Sequence, residues 1–220
     1  MTIPARYMGP DGSANGGYAC GRVAACVDAD AVEVTLRLPP PLETPLAVER
    51  DGDVVSILDG DALVAEARPC SVDVEPPEVS SAEAGAASEH SLGAEEHEFP
   101  RCFVCGPLRE PGDGLRILPG PVRDGVVAAP WTASEVAPEI VWAAIDCIGA
   151  FATGAVGLRG SAVLGRMTAR IDCLPEDGEA CVVVGWSLGA DGRKLHAGTA
   201  LLGADGALRA VSRQVWIAPR

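Results

Sequence analysis

Apolar residues recur at helical spacing through one long segment of the chain. In residues 137–154, APEIVWAAIDCIGAFATG, apolar side chains cover nearly every face, which predicts a helix buried almost all round. Pro138 suits the first turn of such a helix, and Gly154 suits its end. A second pattern of small residues over 13–27 predicts an earlier helix. We therefore expect two buried helices, one in each half of the chain.

Alternation of apolar and polar residues predicts short strands after each helix. The strands expected after the first helix lie near 32–38, 46–49, 54–58 and 62–68, and those after the second near 167–173, 181–188, 194–202 and 207–217. Two more, near 115–118 and 125–131, precede the second helix. Asp-Gly pairs between several of these strands favour tight hairpins. A helix followed by an antiparallel meander thus occurs twice, which predicts an α+β fold with each sheet wrapped around a helix.

The residues between these two units have a different composition. Ser, Ala, Gly and Glu dominate there, and no Lys or Arg occurs between Arg68 and Arg101. Such a composition is typical of a solvated, flexible linker. We therefore predict an N-terminal unit over 1–76, an acidic linker over 77–98 and a C-terminal unit over 99–220.

Charge and composition exclude several classes of partner. The chain has 17 basic and 31 acidic residues, a formal net charge of -14, which disfavours nucleic acid and anionic membrane surfaces. The start of the sequence lacks the basic and apolar regions of a signal peptide, so a cytoplasmic location is expected. The apolar segment is long enough to cross a bilayer, but the charged Asp146 at its centre argues against a membrane span.

Asp146 is the first candidate for chemistry. It is the carboxylate near the centre of the helix expected over 137–154, where an unpaired charge is costly, so it must stay protonated or find hydrogen-bond donors. A buried carboxylate of this kind serves as a catalytic base or caps a neighbouring loop, and both alternatives remain open. The first helix carries no internal acid, so we expect at most one functional site per chain.

Several short motifs together resemble the hotdog-fold thioesterase superfamily, and within it the double-hotdog acyl-CoA thioesterases of the type II class. The pair Gly16-Gly17 looks like the glycine-pair start of that family's first helix. WAAIDCIGA at 142–150 is similar to the helix that carries its Asp, and LRAVSRQV at 208–215 to the strand that carries its Gln. CFVCGP at 102–107 resembles the CFxCG opening of single-hotdog relatives of the phenylacetyl-CoA type.

The resemblance implies a double hotdog that hydrolyses an acyl-CoA or similar thioester by direct attack of water, without cofactor or metal. Asp146 would be the base and Gln214 the residue that orients the water. The hydroxyl residue of the family's site would be Thr168 or Ser161. A catalytically silent acyl- or CoA-binding hotdog protein is the alternative, and a homo-oligomer is compatible with either.

The glycine pair would bind the substrate, because backbone N–H groups at the start of a helix stabilise negative charge. Gly16 and Gly17 would thus contact the thioester carbonyl. Asn15 stands where many single-hotdog enzymes have His before Gly-Gly. No mechanism that needs this His is therefore expected.

Two further motifs are too incomplete to predict a site. The CxxC motif at 102–105, with His90 and His97 upstream, is only half of a zinc site, so no metal is predicted and the cysteines are expected as small buried residues. Asp191 and His196 have the offset seen in hotdog-type enoyl-CoA hydratases, but they straddle a predicted turn. We expect His196 to be an ordinary strand residue.

Overall fold

The computed structural model describes residues 1–92, 97–155 and 162–219. The helices, numbered in chain order, are α1 (Gly16–Ala24), α2 (Ser81–Ser88), α3 (Pro138–Ala144) and α4 (Ile148–Ala152), preceded by a 3-10 turn at Ala5–Tyr7. The strands are β1 (Ala31–Leu36), β2 (Ala47–Asp51), β3 (Val54–Asp59), β4 (Ala62–Pro69), β5 (Gly120–Arg123), β6 (Val126–Thr132), β7 (Val163–Ile171), β8 (Ala180–Asp191), β9 (Lys194–Leu202) and β10 (Leu208–Ile217).

All ten strands join one antiparallel sheet in the order β2-β3-β4-β1-β7-β10-β9-β8-β6-β5. The pairing of β1 with β7 connects the strands of the first half to those of the second, and Val34 lies opposite Met167 in this pair. α1 packs against α3, and α4 packs on β8 and β9. The helices and the inner face of the sheet enclose the hydrophobic core. Among the described residues, no helix has the length and apolar character needed to span a membrane.

Glycines let α1 and α3 approach each other very closely. A Cβ atom at Gly21 would lie 2.7 Å from the Cα atom of Glu139, and one at Gly17 would lie 2.6 Å from the carbonyl oxygen of Trp142. Real Cβ atoms essentially never lie within 3.0 Å of such neighbours. The small-residue pattern of the first helix is therefore a requirement of this helix contact.

The helix expected over 137–154 is interrupted in the structure. α3 ends at Ala144 and α4 begins at Ile148, and the Asp146 N–H bonds the Ala143 carbonyl at 3.0 Å, as in a 3-10 turn. The Ile145 carbonyl, freed by the break, accepts the Gln214 side-chain amide at 2.7 Å. The break therefore loses no buried hydrogen bond at this carbonyl, and it places Asp146 in a turn between two helices.

The predicted linker over 77–98 also differs, because it contains α2. Ser80 and Glu83 form a reciprocal capping box, which stabilises the start of this helix. Its alanines at 84 and 87 are buried, and the helix packs against β6. Part of the segment therefore belongs to the core, even though its composition is typical of solvated chain. The strand expected near 115–118 is also not formed, and β5 begins later, at Gly120.

Candidate active site

Asp146 is buried in the turn between α3 and α4, with its side chain directed at the start of α1. Its Oδ2 atom accepts the Gly17 N–H at 2.8 Å and an N–H of the Asn15 side chain at 2.9 Å. Its Oδ1 atom is buried and has no hydrogen-bond partner within the described residues. The carboxylate is thus held through one oxygen while the other is left without a donor.

Three backbone N–H groups at the start of α1 donate to no carbonyl of the helix, namely those of Gly16, Gly17 and Tyr18. The Asn15 side chain caps the helix by accepting the Tyr18 N–H at 2.9 Å, and Gly17 donates to Asp146. The Gly16 N–H has no acceptor in the described part of the chain. Gly16 also lines a cavity, so its amide is the donor that remains for a ligand at the positive end of the helix.

Burial raises the pKa of Asp146 from 3.8 to about 7. The hydrogen bond from Gly17 opposes this rise, the neighbouring Cys102 adds to it, and the hydrogen bond from Asn15 again lowers it. Desolvation is the largest of these causes, because a buried carboxylate loses its water and gains only two donors. At neutral pH the group is therefore poised between its acid and base forms.

A cavity of about 440 Å³ opens beside Asp146 and Gly16. Its wall is mainly apolar, and it includes Phe151, Leu164 and Trp216. The size lies within the range of small-molecule sites, which are usually apolar with a few convergent polar groups. The cavity therefore suits an apolar group that ends at the carboxylate.

Gln214 is fully buried, but it does not line this cavity. Its amide nitrogen donates to the Ile145 carbonyl and lies 3.3 Å from each of the Thr199 and Ser212 hydroxyls. Its carbonyl oxygen accepts the Trp216 indole N–H at 2.7 Å. Gln214 therefore fixes the turn that carries Asp146, and its side chain is not part of the cavity wall.

Thr168 lies on the opposite face of the sheet from Gln214. Its cross-strand neighbours are Glu33 and Arg213, whereas Gln214 pairs with Met167, whose side chain points into the core. Because successive strand residues point to opposite faces, the Thr168 hydroxyl cannot face Asp146. The role expected for it therefore does not fit this geometry. The alternative, Ser161, lies outside the described residues.

Two contacts of this site were not predicted from the sequence. One is the side chain of Asn15, which links the cap of α1 to Asp146. The other is a cluster of three sulfur atoms, because Cys147 joins Cys102 and Cys105 within 4.8 Å. The sequence shows the CxxC motif and shows Cys147 next to Asp146. It does not show that these segments meet, because they lie far apart along the chain.

Three other residues named in the sequence analysis, His97, Asp191 and His196, make no contact with Asp146, within the described part of the chain, that would give them a role in the site. His97 lines the cavity and is partly buried, and burial lowers its pKa. Asp191 is exposed at the end of β8, and His196 is half-buried on β9. His196 is therefore a strand residue, as expected.

No protein-family model and no curated protein sequence matches this chain. Its fold, however, matches solved structures over nearly the full length. A conserved protein of unknown function with the hot dog fold from Alicyclobacillus acidocaldarius has a TM-score of 0.63 at 12% identity, covering 99% of this chain and 92% of that one. The tesB protein of Mycobacterium avium subspecies paratuberculosis has a TM-score of 0.60 at 14% identity, covering 100% and 91%.

A third structure gives the same result. The acyl-CoA thioesterase II TesB2 of Mycobacterium marinum has a TM-score of 0.56 at 12% identity, over 94% of this chain and 90% of that one. Likeness at such low identity shows a common fold. The predicted fold is thereby confirmed at this level: the chain has the hotdog fold.

Proposed function

We propose that this protein hydrolyses an acyl-CoA or similar thioester by direct attack of water. The observation that carries the proposal is the Asp146 carboxylate, which lies at the cavity wall and is anchored through Oδ2 alone. A base held in this way keeps its orientation, and its second oxygen, Oδ1, is buried without a hydrogen-bond donor in the described part of the chain. The fold shared with the acyl-CoA thioesterase II of M. marinum supports the substrate class.

The proposed reaction uses one carboxylate and one backbone amide. Asp146 accepts a proton from water as the water oxygen attacks the thioester carbonyl, and the Gly16 N–H donates to the oxygen that becomes negative. The tetrahedral intermediate then breaks its C–S bond, and the departing thiolate takes the proton from Asp146. A base with a pKa near 7 suits both steps at neutral pH.

Gln214 acts in this scheme as a positioning residue. It donates to the Ile145 carbonyl at 2.7 Å and so fixes the turn immediately before Asp146.

We further propose that the fold is a double hotdog, with α1 and β1–β4 as one unit and the second-half helices with β5–β10 as the other. The arrangement of these elements on either side of the β1–β7 pairing supports this division.

A second function, acyl or CoA binding without turnover, is favoured by one observation. Gln214 is engaged by internal partners, and Thr168 faces away from the cavity, so neither supplies a polar group beside Asp146. A protein that has this cavity, but lacks a second polar side chain beside Asp146, would bind the acyl group and release it unchanged.

Acyl-CoA thioesters from acetyl to palmitoyl, incubated with the purified reduced protein, distinguish these functions. Release of CoA is followed by chromatography, because the protein's own thiols would react with thiol reagents. We expect hydrolysis by the wild type and by the matched control Asp61→Asn, whose side chain is exposed. We expect at least about a hundredfold loss in Asp146→Asn. Binding without turnover would favour the second function, and neither binding nor turnover would overturn both.

Isotope labelling tests the direct attack of water. With enzyme in excess over substrate in ¹⁸O-labelled water, direct attack places ¹⁸O in the released acid during the first turnover. If Asp146 instead attacked the carbonyl to form an anhydride, water attack at the Asp146 carboxyl carbon would leave unlabelled oxygen in the acid and ¹⁸O in the protein. Mass spectrometry of both products would show ¹⁸O in the protein if the anhydride formed and was opened at the Asp146 carboxyl carbon, and that result would overturn direct attack.

A further inference from the structure

Three buried cysteines from two distant segments converge beside the carboxylate. Cys102 and Cys105 belong to the turn CFVCG, and Cys147 lies in the break between α3 and α4. Their sulfur atoms all lie within 4.8 Å of one another, and those of Cys102 and Cys147 are 3.7 Å apart. Two sulfurs bound to one tetrahedral zinc at about 2.3 Å are roughly 3.8 Å apart. The separation of 3.7 Å between the Cys102 and Cys147 sulfurs matches this value.

We propose that Cys102, Cys105 and Cys147 form a binding site for a thiophilic divalent cation, for which Zn²⁺ is the best fit. Thiolate ligands select soft or borderline ions such as zinc over magnesium or calcium. Nothing in the proposed hydrolysis uses a thiol, so the three proposed thiol ligands are not part of its machinery.

The turn that carries two of the ligands is fixed by its surroundings. Phe103 is buried, its N–H donates to the Met8 carbonyl at 2.7 Å, and its ring packs edge-on against Tyr7 at 4.9 Å. The Gly106 N–H closes the turn on the Cys102 carbonyl at 2.9 Å. A Cβ atom at Gly106 would lie 2.6 Å from the Cys102 nitrogen, so this position requires glycine. The sulfur atoms are thus placed before a cation binds, which favours affinity.

The outer contacts also suit a cation held by thiolates. The Asn15 side-chain amide lies 3.8 Å from the Cys102 sulfur and 3.6 Å from the Cys147 sulfur, so its N–H groups stabilise negative charge there. The nearby Asp146, whose Oδ2 is 4.0 Å from the Cys147 sulfur, offers a fourth ligand. All three cysteines line the cavity, which gives the ion a path of entry.

Cobalt titration of the full-length, reduced, metal-free protein tests the site. We expect one Co²⁺ per chain, with thiolate-to-cobalt charge-transfer absorption and tetrahedral d–d bands, displaced by an equimolar amount of Zn²⁺. Cys105→Ser and Cys147→Ser should each weaken binding at least about tenfold and reduce the charge-transfer intensity. Cys181→Ser removes a buried thiol outside the cluster and should change neither.

The wild-type titration decides the question even if a variant fails to fold. Absence of charge-transfer absorption from the wild type would overturn the site, as would absorption that both variants in the cluster retain at full strength. A wild type that binds no cobalt when reduced, but forms a Cys102–Cys147 disulfide once an oxidant such as diamide is added, would replace the metal site with a redox-active cysteine pair. Hydrolysis is assayed separately in the metal-free protein, so the two proposals fail independently.

Discussion

The contact between Gly17 and α3 offers the sharpest test of the site's geometry. In Gly17→Ala the new Cβ atom would lie 2.6 Å from the Trp142 carbonyl oxygen and closer still to the Cβ atom of Asp146. Neither neighbour is the far end of a flexible side chain, so a change of rotamer cannot relieve the clash. The two helices must therefore separate by several tenths of an ångström.

The cost follows from two opposing effects. Overpacking of this kind destabilises by about 1–3 kcal/mol, whereas alanine gains up to about 1 kcal/mol over glycine within a helix. We expect a net loss of about 1–2 kcal/mol in the free energy of unfolding of Gly17→Ala. The matched control is Gly85→Ala in α2, where a Cβ atom would meet nothing within 4 Å. That variant should be as stable as the wild type or more so.

Urea unfolding followed by circular dichroism measures both variants, and acyl-CoA hydrolysis is measured beside it. Because the Gly17 N–H donates to Asp146 at 2.8 Å, separation of the helices weakens the bond that orients the carboxylate. We expect hydrolysis to fall about tenfold or more. A Gly17→Ala protein with wild-type stability and activity, alongside a normal Gly85→Ala control, would refute this account of the contact.

Three further predictions concern charge and polarity. Because burial raises the pKa of Asp146 from 3.8 to about 7, this group binds more protons in the folded than in the unfolded chain between those values, so its contribution to stability is present at low pH and is lost as the pH rises through 7. The free energy of unfolding of the metal-free protein should fall by roughly 3 kcal/mol from pH 5 to 8 relative to Asp146→Asn, and an equal slope in both proteins would contradict this. Gln214→Met leaves the Ile145 carbonyl and the Trp216 N–H unpaired in the core, and urea unfolding should show a loss of about 2–4 kcal/mol. Arg37 lies on the cavity wall, so Arg37→Ala should raise KM several-fold for acyl-CoA but not for an acyl-pantetheine thioester, which lacks the nucleotide phosphates.

The regular elements were largely predictable because their patterns are local. Alternation of apolar and polar residues predicted the strands, and the strand expected over 194–202 has the same bounds as β9. The glycine pair marked the start of α1, and Asp146 stood out as a single acid in an apolar segment. These features depend on neighbours in sequence, which a single chain displays.

The parts that could not be predicted depend on contacts between distant segments. The break at Asp146 is stabilised by Gln214, and nothing in the local sequence opposes a continuous helix there. The orientation of Thr168 follows from the register of β7 against β1 and β10. The residues of the capping box, Ser80 and Glu83, are visible in the sequence, but the acidic composition around them predicted a solvated linker. The structure instead has a helix there that packs against β6.

The contact between α1 and α3 also explains why one chain should hold one site. At one end of the contact, Gly16 supplies a free N–H at the first position of α1, and Asp146, in the turn that follows α3, accepts the N–H of the next residue, Gly17. At the other end, α3 begins with Pro138, which has no N–H to offer, and Gly21 closes the space with its Cβ position 2.7 Å from Glu139. A second site would need an open space and a facing carboxylate at that end, and the close packing of Gly21 on α3 leaves no such space.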